Sequence, residues 1–389
     1  MGALVHEFLG RKKIDGDVGL ELECEARVPR IPFAEVVGWQ MKREGSLRGH
    51  AVEYVTNGAI KLNDCPAYLA RLAETINHPH IDVVRDSPRT SFHVHLNCHG
   101  LTPIQMWTVA NAYWLFENLL MEYCGPERVG NLFCLRLKDA SGVLNTVYQD
   151  LAAKLPLTTL HKDRIRYGGL NLKALPQFGT IELRGMRGIT NYDDMNRWST
   201  ALIHFRDNVI KNYENPEDFM DKFYSSNLIR FMETVFSHDF LYNHLIPLFK
   251  DRNEIIEEQA GLLAEFAYFH DWKQYEKRIN EELKRKSDPR FIVEDDFDDV
   301  PLHRMQARGA AGQRIRPLHD IVFNGNNAPN NVQEVALPEP QPWPIEINNM
   351  AQEVAAEPAH PGNHVMNDGM RIGNHIWDAV NNRWIRRER

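Results

Sequence analysis

Gly19-Leu20-Glu21-Leu22-Glu23-Cys24-Glu25, Ser91-Phe92-His93-Val94-His95-Leu96-Asn97 and Gly179-Thr180-Ile181-Glu182-Leu183-Arg184 follow one pattern: polar or ionisable side chains at every second position, mostly with apolar ones between. Successive side chains of a strand point to opposite faces of a sheet. Glu21, Glu23 and Glu25 therefore share a face, as do His93, His95 and Asn97, and Thr180, Glu182 and Arg184. If the three strands pair, they form a floor of carboxylates, imidazoles and a guanidinium over an apolar underside.

Working outward, 389 residues with 43% hydrophobic and 25% charged side chains allow one large domain plus a smaller element. A formal charge of -8 argues against nucleic acid as the main partner. Five cysteines, at positions 24, 65, 98, 124 and 134, form no C-x-x-C pair and read as free thiols in a reducing compartment. The N-terminus lacks the order of a signal peptide, and His6 stands where a myristoylation motif wants Ser or Thr. The stretch around Met106 to Met121 contains Asn111, Glu117 and Asn118, too polar to span a bilayer. No membrane association and a cytoplasmic location are expected.

Strands and helices intermix over about residues 15–190. The apolar positions Leu69, Leu72, Ala73 and Ile76 predict a helix from Cys65 to Asn77. Thr102 as cap and Pro103 at the first helical position open a second, longer one. Residues 164–175 and 179–186 read as two strands joined by a turn at Pro176 to Gly179. Beyond 190 the chain turns helical, with a period carried by Met195, Trp198, Leu202, Phe205 and Val209 and further helical segments near 229–249 and 252–286. The expected organisation is a domain of residues 1–290, with a sheet core over 15–190 and a helical block over 191–290. A Pro/Asn-rich flexible linker over 291–365 and a docking element over 366–389 would follow, the tail docking a protein. Nine of the 21 prolines and twelve asparagines lie after residue 300, a composition that buries too little to offset its ordering entropy.

Same-face carboxylates on a strand stand roughly 6.5–7 Å apart. Hard oxygen ligands suit Mg²⁺, and an added imidazole extends tolerance to Mn²⁺. Glu53, in Ala51-Val52-Glu53-Tyr54, is a further strand-borne carboxylate that completes such a cage. Taken alone, an alternating Glu strand is more often a solvated face, His-x-His a pair of surface histidines, and Glu-x-Arg an exposed ion pair worth only ~0–1 kcal/mol. Taken together, all are explained by one site.

The order Gly-x-Glu-x-Glu, an acidic strand around Glu53, His-x-His-x-Asn at 93–97, Arg166-Tyr167-x-x-Leu170-Asn171-Leu172 and Gly-Thr-Ile-Glu-x-Arg at 179–184 resembles the amidoligases of bacteriophages and bacteria. These belong to the glutamine-synthetase-like carboxylate–amine ligases, and the resemblance covers roughly residues 15–210. It implies an α+β fold: a curved, mainly antiparallel sheet with the site on its concave face, helices on its outer face, a helical C-terminal block and a low-complexity tail. It implies metal ligation by Glu21, Glu23, Glu53, Glu182 and His95, with His93 as the alternative imidazole. His93, His95 and Arg184 would contact nucleotide phosphate, and Asn97, Asn171, Arg166 and Arg184 would act on substrate. Arg166 and Asn171 have odd spacing, so a regular strand would put them on opposite faces.

The implied activity is ATP- and Mg²⁺-dependent amide-bond formation between a carboxylate and an amine through an acyl phosphate, on an amino-acid, peptide or protein substrate. A glutamine amidotransferase partner follows by analogy, and the host cytoplasm is the expected compartment if the protein is phage-encoded. Two other classes remain open: a zinc hydrolase or cupin-like enzyme built on His93 and His95, and a non-catalytic phage interaction protein on the same fold.

Overall fold

The computed structural model describes residues 2–27, 33–43, 47–84, 87–153, 156–161, 165–249, 253–268, 270–287, 371–372, 375–378 and 383–386. The expected linker over 291–365 lies outside them. Six strands form one open antiparallel sheet: β1 (Val18–Ala26), β2 (Trp39–Lys42), β3 (His50–Thr56), β4 (Phe92–Asn97), β5 (Leu170–Asn171) and β6 (Thr180–Leu183), in the order β2-β3-β1-β4-β6-β5. The fold is mixed helix and sheet.

Register puts the alternating residues in rows. Glu23 faces Glu53, Glu21 faces His93, and His95 faces Gly19 on one side and Glu182 on the other; Glu182 in turn faces Asn171. The opposite face carries Leu20, Leu22, Val94, Leu96, Ile181 and Leu183. These are fully buried and belong to one hydrophobic core with residues of the helices α2 (Cys65–Ile76), α3 (Pro103–Cys124) and α6 (Tyr192–Asn212). Slipping any strand by one residue would bury the carboxylates and expose the leucines, so the core fixes the register.

The helix α3 is buried along almost its whole length, as a central helix must be when it is apolar nearly all round. Its start is fixed by a capping box: the Thr102 hydroxyl accepts from the Gln105 N–H, while Gln105 reaches back to the Thr102 N–H. One of the two carboxyls of this helix is buried. Glu117 accepts from the Leu137 N–H at 2.6 Å, and burial pushes its carboxyl up to about 8 despite that bond and nearby Arg136.

Before α2 lies a short N-terminal helix, α1 (Val5–Phe8). After α3 come α4 (Ser141–Ala152), α5 (Ala174–Phe178), α7 (Pro216–Ser225), α8 (Leu228–Val235), α9 (His238–Phe240), α10 (Ile246–Phe249), α11 (Glu254–Tyr268) and α12 (Trp272–Ser287). Four sequence expectations need correction. The strand predicted over 164–175 contracts to Leu170–Asn171, and the helix α5 replaces the turn expected at Pro176. That helix ends at Gly179, whose φ of +72° is left-handed and where a Cβ would overlap the His99 imidazole. The helical segment near 229–249 is broken: α8 ends at Val235, and a π-turn over Leu241–Leu245 separates α9 from α10. Pro247 follows that turn and lacks the N–H a regular helix would use.

The predicted strand over 179–186 is interrupted after Leu183. Val94 pairs with Leu183 but Ser91 pairs with Arg187, so three steps on one strand face four on the other. The extra residue is a β-bulge at Arg184 to Met186. Arg128, only 1% exposed, fastens it: its guanidinium donates to the carbonyls of Arg184 (2.8 Å), Gly185 (3.0 Å), Pro88 and Thr90 (3.4 Å each).

Within the segment expected to dock, β7 (Arg371–Ile372), β8 (His375–Asp378) and β9 (Arg383–Arg386) form a three-stranded antiparallel sheet with Trp377 facing Trp384. All five cysteines are free and buried. Among the described residues, no helix is long and apolar enough to cross a membrane.

Candidate active site

Directly opposed side chains on neighbouring strands have Cβ atoms about 4.5–5.5 Å apart, so three adjacent strands bring their polar rows into hydrogen-bond reach. Glu21 lies between the two imidazoles. Its Oε2 is 3.3 Å from His93 Nδ1, and its Oε1 is 3.2 Å from His95 Nε2. Glu182 Oε1 is shared by His93 Nδ1 at 3.2 Å and the Arg184 guanidinium at 2.5 Å, while its Oε2 accepts from the Asn171 amide at 2.5 Å.

Glu21, His93 and Glu182 each offer a ligand atom within 4.8 Å of the others. Two carboxylates and one imidazole nitrogen suit Mn²⁺ or Mg²⁺. His95 Nε2 adds a buried nitrogen beside Glu21 that makes no well-formed hydrogen bond among the described residues. The donor set fits a divalent cation.

Electrostatics hold these groups ready. Burial pushes the Glu21 carboxyl up, but His95 and His93 overcome that and hold it well below the usual range. Glu182 is likewise lowered: burial opposes ionisation, and Arg184, His95 and His93 outweigh it. His95 is raised, since Glu21 and Glu182 outweigh the burial that disfavours its charge. Arg184 is raised by Glu182, Glu23 and Glu21 against its own burial. Ionisation of Glu21 and Glu182 is therefore favoured despite their burial, with the Arg184 guanidinium beside them.

The structure brings Glu21, His93, His95, Asn171, Glu182 and Arg184 together. Glu23 is one same-face position along from Glu21, and one of its carboxylate oxygens accepts the hydroxyl of Ser91. Glu53 lies in register between Lys42 on β2 and Glu23 on β1, outside the three-residue ligand group. Asn97 shares the face, but its amide donates to the carbonyls of Ile14 and Gly16 and its oxygen accepts from the His99 N–H, which pins the loop before β1. Arg166 does not reach the cluster. It sits in a turn before β5, exposed, with its guanidinium 5.0 Å from the Tyr167 ring centroid. The face conflict between Arg166 and Asn171 is resolved because only Asn171 is on a strand.

Three residues escaped sequence assignment. Ser91 is in phase with His93 and bonds both Glu23 and His93 Nε2, the latter at 2.6 Å. Thr180, on the same face as Glu182, bonds His95 Nδ1 at 3.0 Å. Arg128 carries no pattern signal at all. Alternation placed the first two on the floor, but a hydroxyl's role depends on which partners the register delivers.

Beside the floor, a cavity of ≈ 500 Å³ is lined by Glu25, Arg48, Ser87, Arg89, Leu132 and Phe133, among others. Glu25 follows Glu23 on the same face, and the Phe133 carbonyl accepts from Arg184 Nε at 3.3 Å. Two of the cavity's lining residues thus adjoin the floor, Glu25 by its place on β1 and Phe133 through its bond to Arg184.

Residues 69–204 match a family model described as "putative amidoligase enzyme". The match points to a ligase. It spans His93, His95, Asn171, Glu182 and Arg184, and it begins after Glu21, Glu23 and Glu53. No curated protein matches the chain.

Proposed function

We propose that this protein is an ATP- and Mg²⁺-dependent carboxylate–amine ligase of glutamine-synthetase-like design. The observation that carries the reading is the convergence of Glu21, His93 and Glu182 on one point, with Arg184 bonded to Glu182, on the sheet that runs through the amidoligase match. In the proposed reaction, a carboxylate oxygen takes the γ-phosphoryl group of ATP and releases ADP. An amine then attacks the acyl carbon, the C–O bond to phosphate breaks, and amide, phosphate and a proton result. Phosphoryl transfer needs positioning and charge neutralisation more than covalent help.

Glu21, Glu182 and His93 would hold the cation, which when bound would neutralise phosphate oxygens. Asn171 and Arg184 hold the Glu182 carboxylate in one orientation, and Arg184 also offers its charge to the transferring group. The neighbouring cavity falls within the ~300–1,000 Å³ typical of small-molecule clefts and would seat the acid substrate. Arg48, exposed at its mouth, would meet that substrate's charge.

The test is incubation of the full chain with ATP, Mg²⁺ and a carboxylate/amine library, following phosphate release and amide mass. Amide formation that disappears in Glu182→Gln and Arg184→Ala supports the reading. ATP-independent hydrolysis, or unchanged turnover in both variants, would overturn it. Arg48→Ala should raise the acid substrate's KM without changing Mn²⁺ affinity, and an unaltered KM removes the cavity from the reading.

A further inference from the structure

We propose that Phe178 is the platform on which the base of the nucleotide stacks, at the end of the floor opposite the cavity. This rests on the ligase reading and adds to it where the nucleotide lies.

Phosphoryl transfer sets the direction. The attacking and leaving oxygens stand roughly in line on either side of the transferred group, so acid and nucleotide approach it from opposite sides. On β1 the cavity lies at Glu25, and Gly19 stands at the other end, roughly 20 Å along the strand with the ligand Glu21 between them. With the acid in the cavity, the nucleotide has to extend toward Gly19. That end of the floor is open. Gly19 carries no side chain where alternation would place the next one, and its φ is not left-handed, so no backbone requirement accounts for the glycine.

An exposed aromatic ring stands beside this opening. Gly19 faces His95 on the neighbouring strand, and the Phe178 ring meets the His95 ring at 79° with centroids 6.0 Å apart. The His95 side chain is on the floor, so the Phe178 ring reaches the floor side as well. Phe178 is nonetheless 44% exposed, although its backbone is firmly held. Its carbonyl accepts from His99 Nε2 at 2.9 Å, because His99 Nδ1 already accepts the Ile14 N–H, and the left-handed Gly179 follows it. A large apolar ring kept exposed on a fixed backbone is suited to stacking, and every nucleic-acid base offers a π-face to such a ring.

The distances suit a nucleoside triphosphate. His95 Nε2 is 3.2 Å from Glu21 Oε1, so one imidazole separates Phe178 from the cation ligands, and the ribose and inner phosphates would span that breadth. Arg11 brings positive charge to the same end, its guanidinium donating to the Pro176 carbonyl at 2.7 Å. Another exposed aromatic, Tyr167, has its ring centroid 6.5 Å from that of Phe133, a cavity residue, and so stands on the acid's side.

Calorimetric titration of the full chain with ATP and with tripolyphosphate, each with Mg²⁺, isolates the base, which only ATP carries. Phe178→Ala should weaken ATP binding about 5- to 150-fold, the span of base–aromatic stacking, and leave the tripolyphosphate Kd unchanged. Phe178→Trp should retain ATP affinity, with its added indole emission quenched by ATP and not by tripolyphosphate. Tyr167→Ala should bind ATP as wild type does. An ATP Kd unaltered in Phe178→Ala, an equal loss for both ligands, or a loss confined to Tyr167→Ala would each overturn the platform and leave the ligase reading standing. A wild type that binds neither ligand would overturn the ligase reading and the platform with it.

Discussion

Glu117→Gln should make the protein more stable at alkaline pH and leave it little changed at acidic pH. Glu117 lies in the middle of α3, 1% exposed, with Oε2 accepting the Leu137 N–H and Oε1 lacking a hydrogen-bond partner among the described residues. Burial raises its carboxyl from an ordinary 4.5 to about 8. Between those values the folded chain keeps a proton that the unfolded chain has released, so the unfolded state binds fewer protons and stability falls as pH rises. The group's contribution is intact below about 4.5, declines through the window and levels off above about 8. At about 1.4 kcal/mol per pH unit the full span corresponds to on the order of 5 kcal/mol, an upper bound because water entering the site would relax the penalty. Glutamine keeps the oxygen that accepts from Leu137 and has no charge to bury. Urea-unfolding midpoints for both proteins, followed from about pH 5 to about pH 9, should therefore diverge, with the variant increasingly favoured. Parallel curves would refute the reasoning and mean that Glu117 titrates as an ordinary surface carboxyl.

Gly179→Ala combines a left-handed φ of +72° with overlap on the His99 ring, which cannot withdraw because it bonds the Phe178 carbonyl and the Ile14 N–H. A loss of about 2 kcal/mol or more in thermal unfolding is expected, and an unchanged Tm would be inconsistent with this backbone. Arg128→Met removes the donor from the carbonyls of Pro88, Thr90, Arg184 and Gly185. It should cost roughly 3 kcal/mol or more and raise amide exchange at the bulge; exchange as slow as in wild type would count against the clasp. Asn171→Ala frees Glu182 Oε2 and should weaken Mn²⁺ binding by about 10-fold with little change in Tm, and an equal Kd would remove Asn171 from the support of Glu182.

The sheet was legible because its two faces differ so sharply. Leu20, Leu22, Val94 and Leu96 can be buried only if Glu21, Glu23, His93 and His95 go to the other side, so alternation specifies the register and the register assembles the floor. The start of α3 was legible for an equally local reason, the Thr102 cap ahead of Pro103. The helix α7 has the same kind of signal, Asn215 capping ahead of Pro216, but its ten residues provide little periodicity to read. The helix α4 has no side-chain cap at all. Between 164 and 179 the composition suits a strand, yet the chain makes only two strand residues there, opposite Leu183 and Glu182, before it turns into α5. Propensity was overridden by the tertiary context, which takes the chain off the sheet edge while half of β6 is still unpaired on that side.

For the site, the limit was different: alternation identifies which side chains share a face but not how their hydrogen bonds are directed. Asn97 is in phase with His93 and His95, yet it lies at the end of β4 and its amide turns to the loop at Ile14 and Gly16. Ser91 is in phase at the other end, where the bulge at Arg184 places Arg187 opposite it on one side and β1 brings Glu23 within reach on the other. A bulge adds one residue to one strand and leaves no mark in the period of its partner. Here it is held by a guanidinium that arrives from the turn after α3, from a residue with no carboxylate bonded to it among the described residues. Arg128 donates to four carbonyls and thereby holds the backbone of Arg184, whose side chain meets Glu182. The residue types on the floor are a property of three strands, whereas their geometry depends on a cation outside the sheet, and that dependence becomes visible only once the chain is folded.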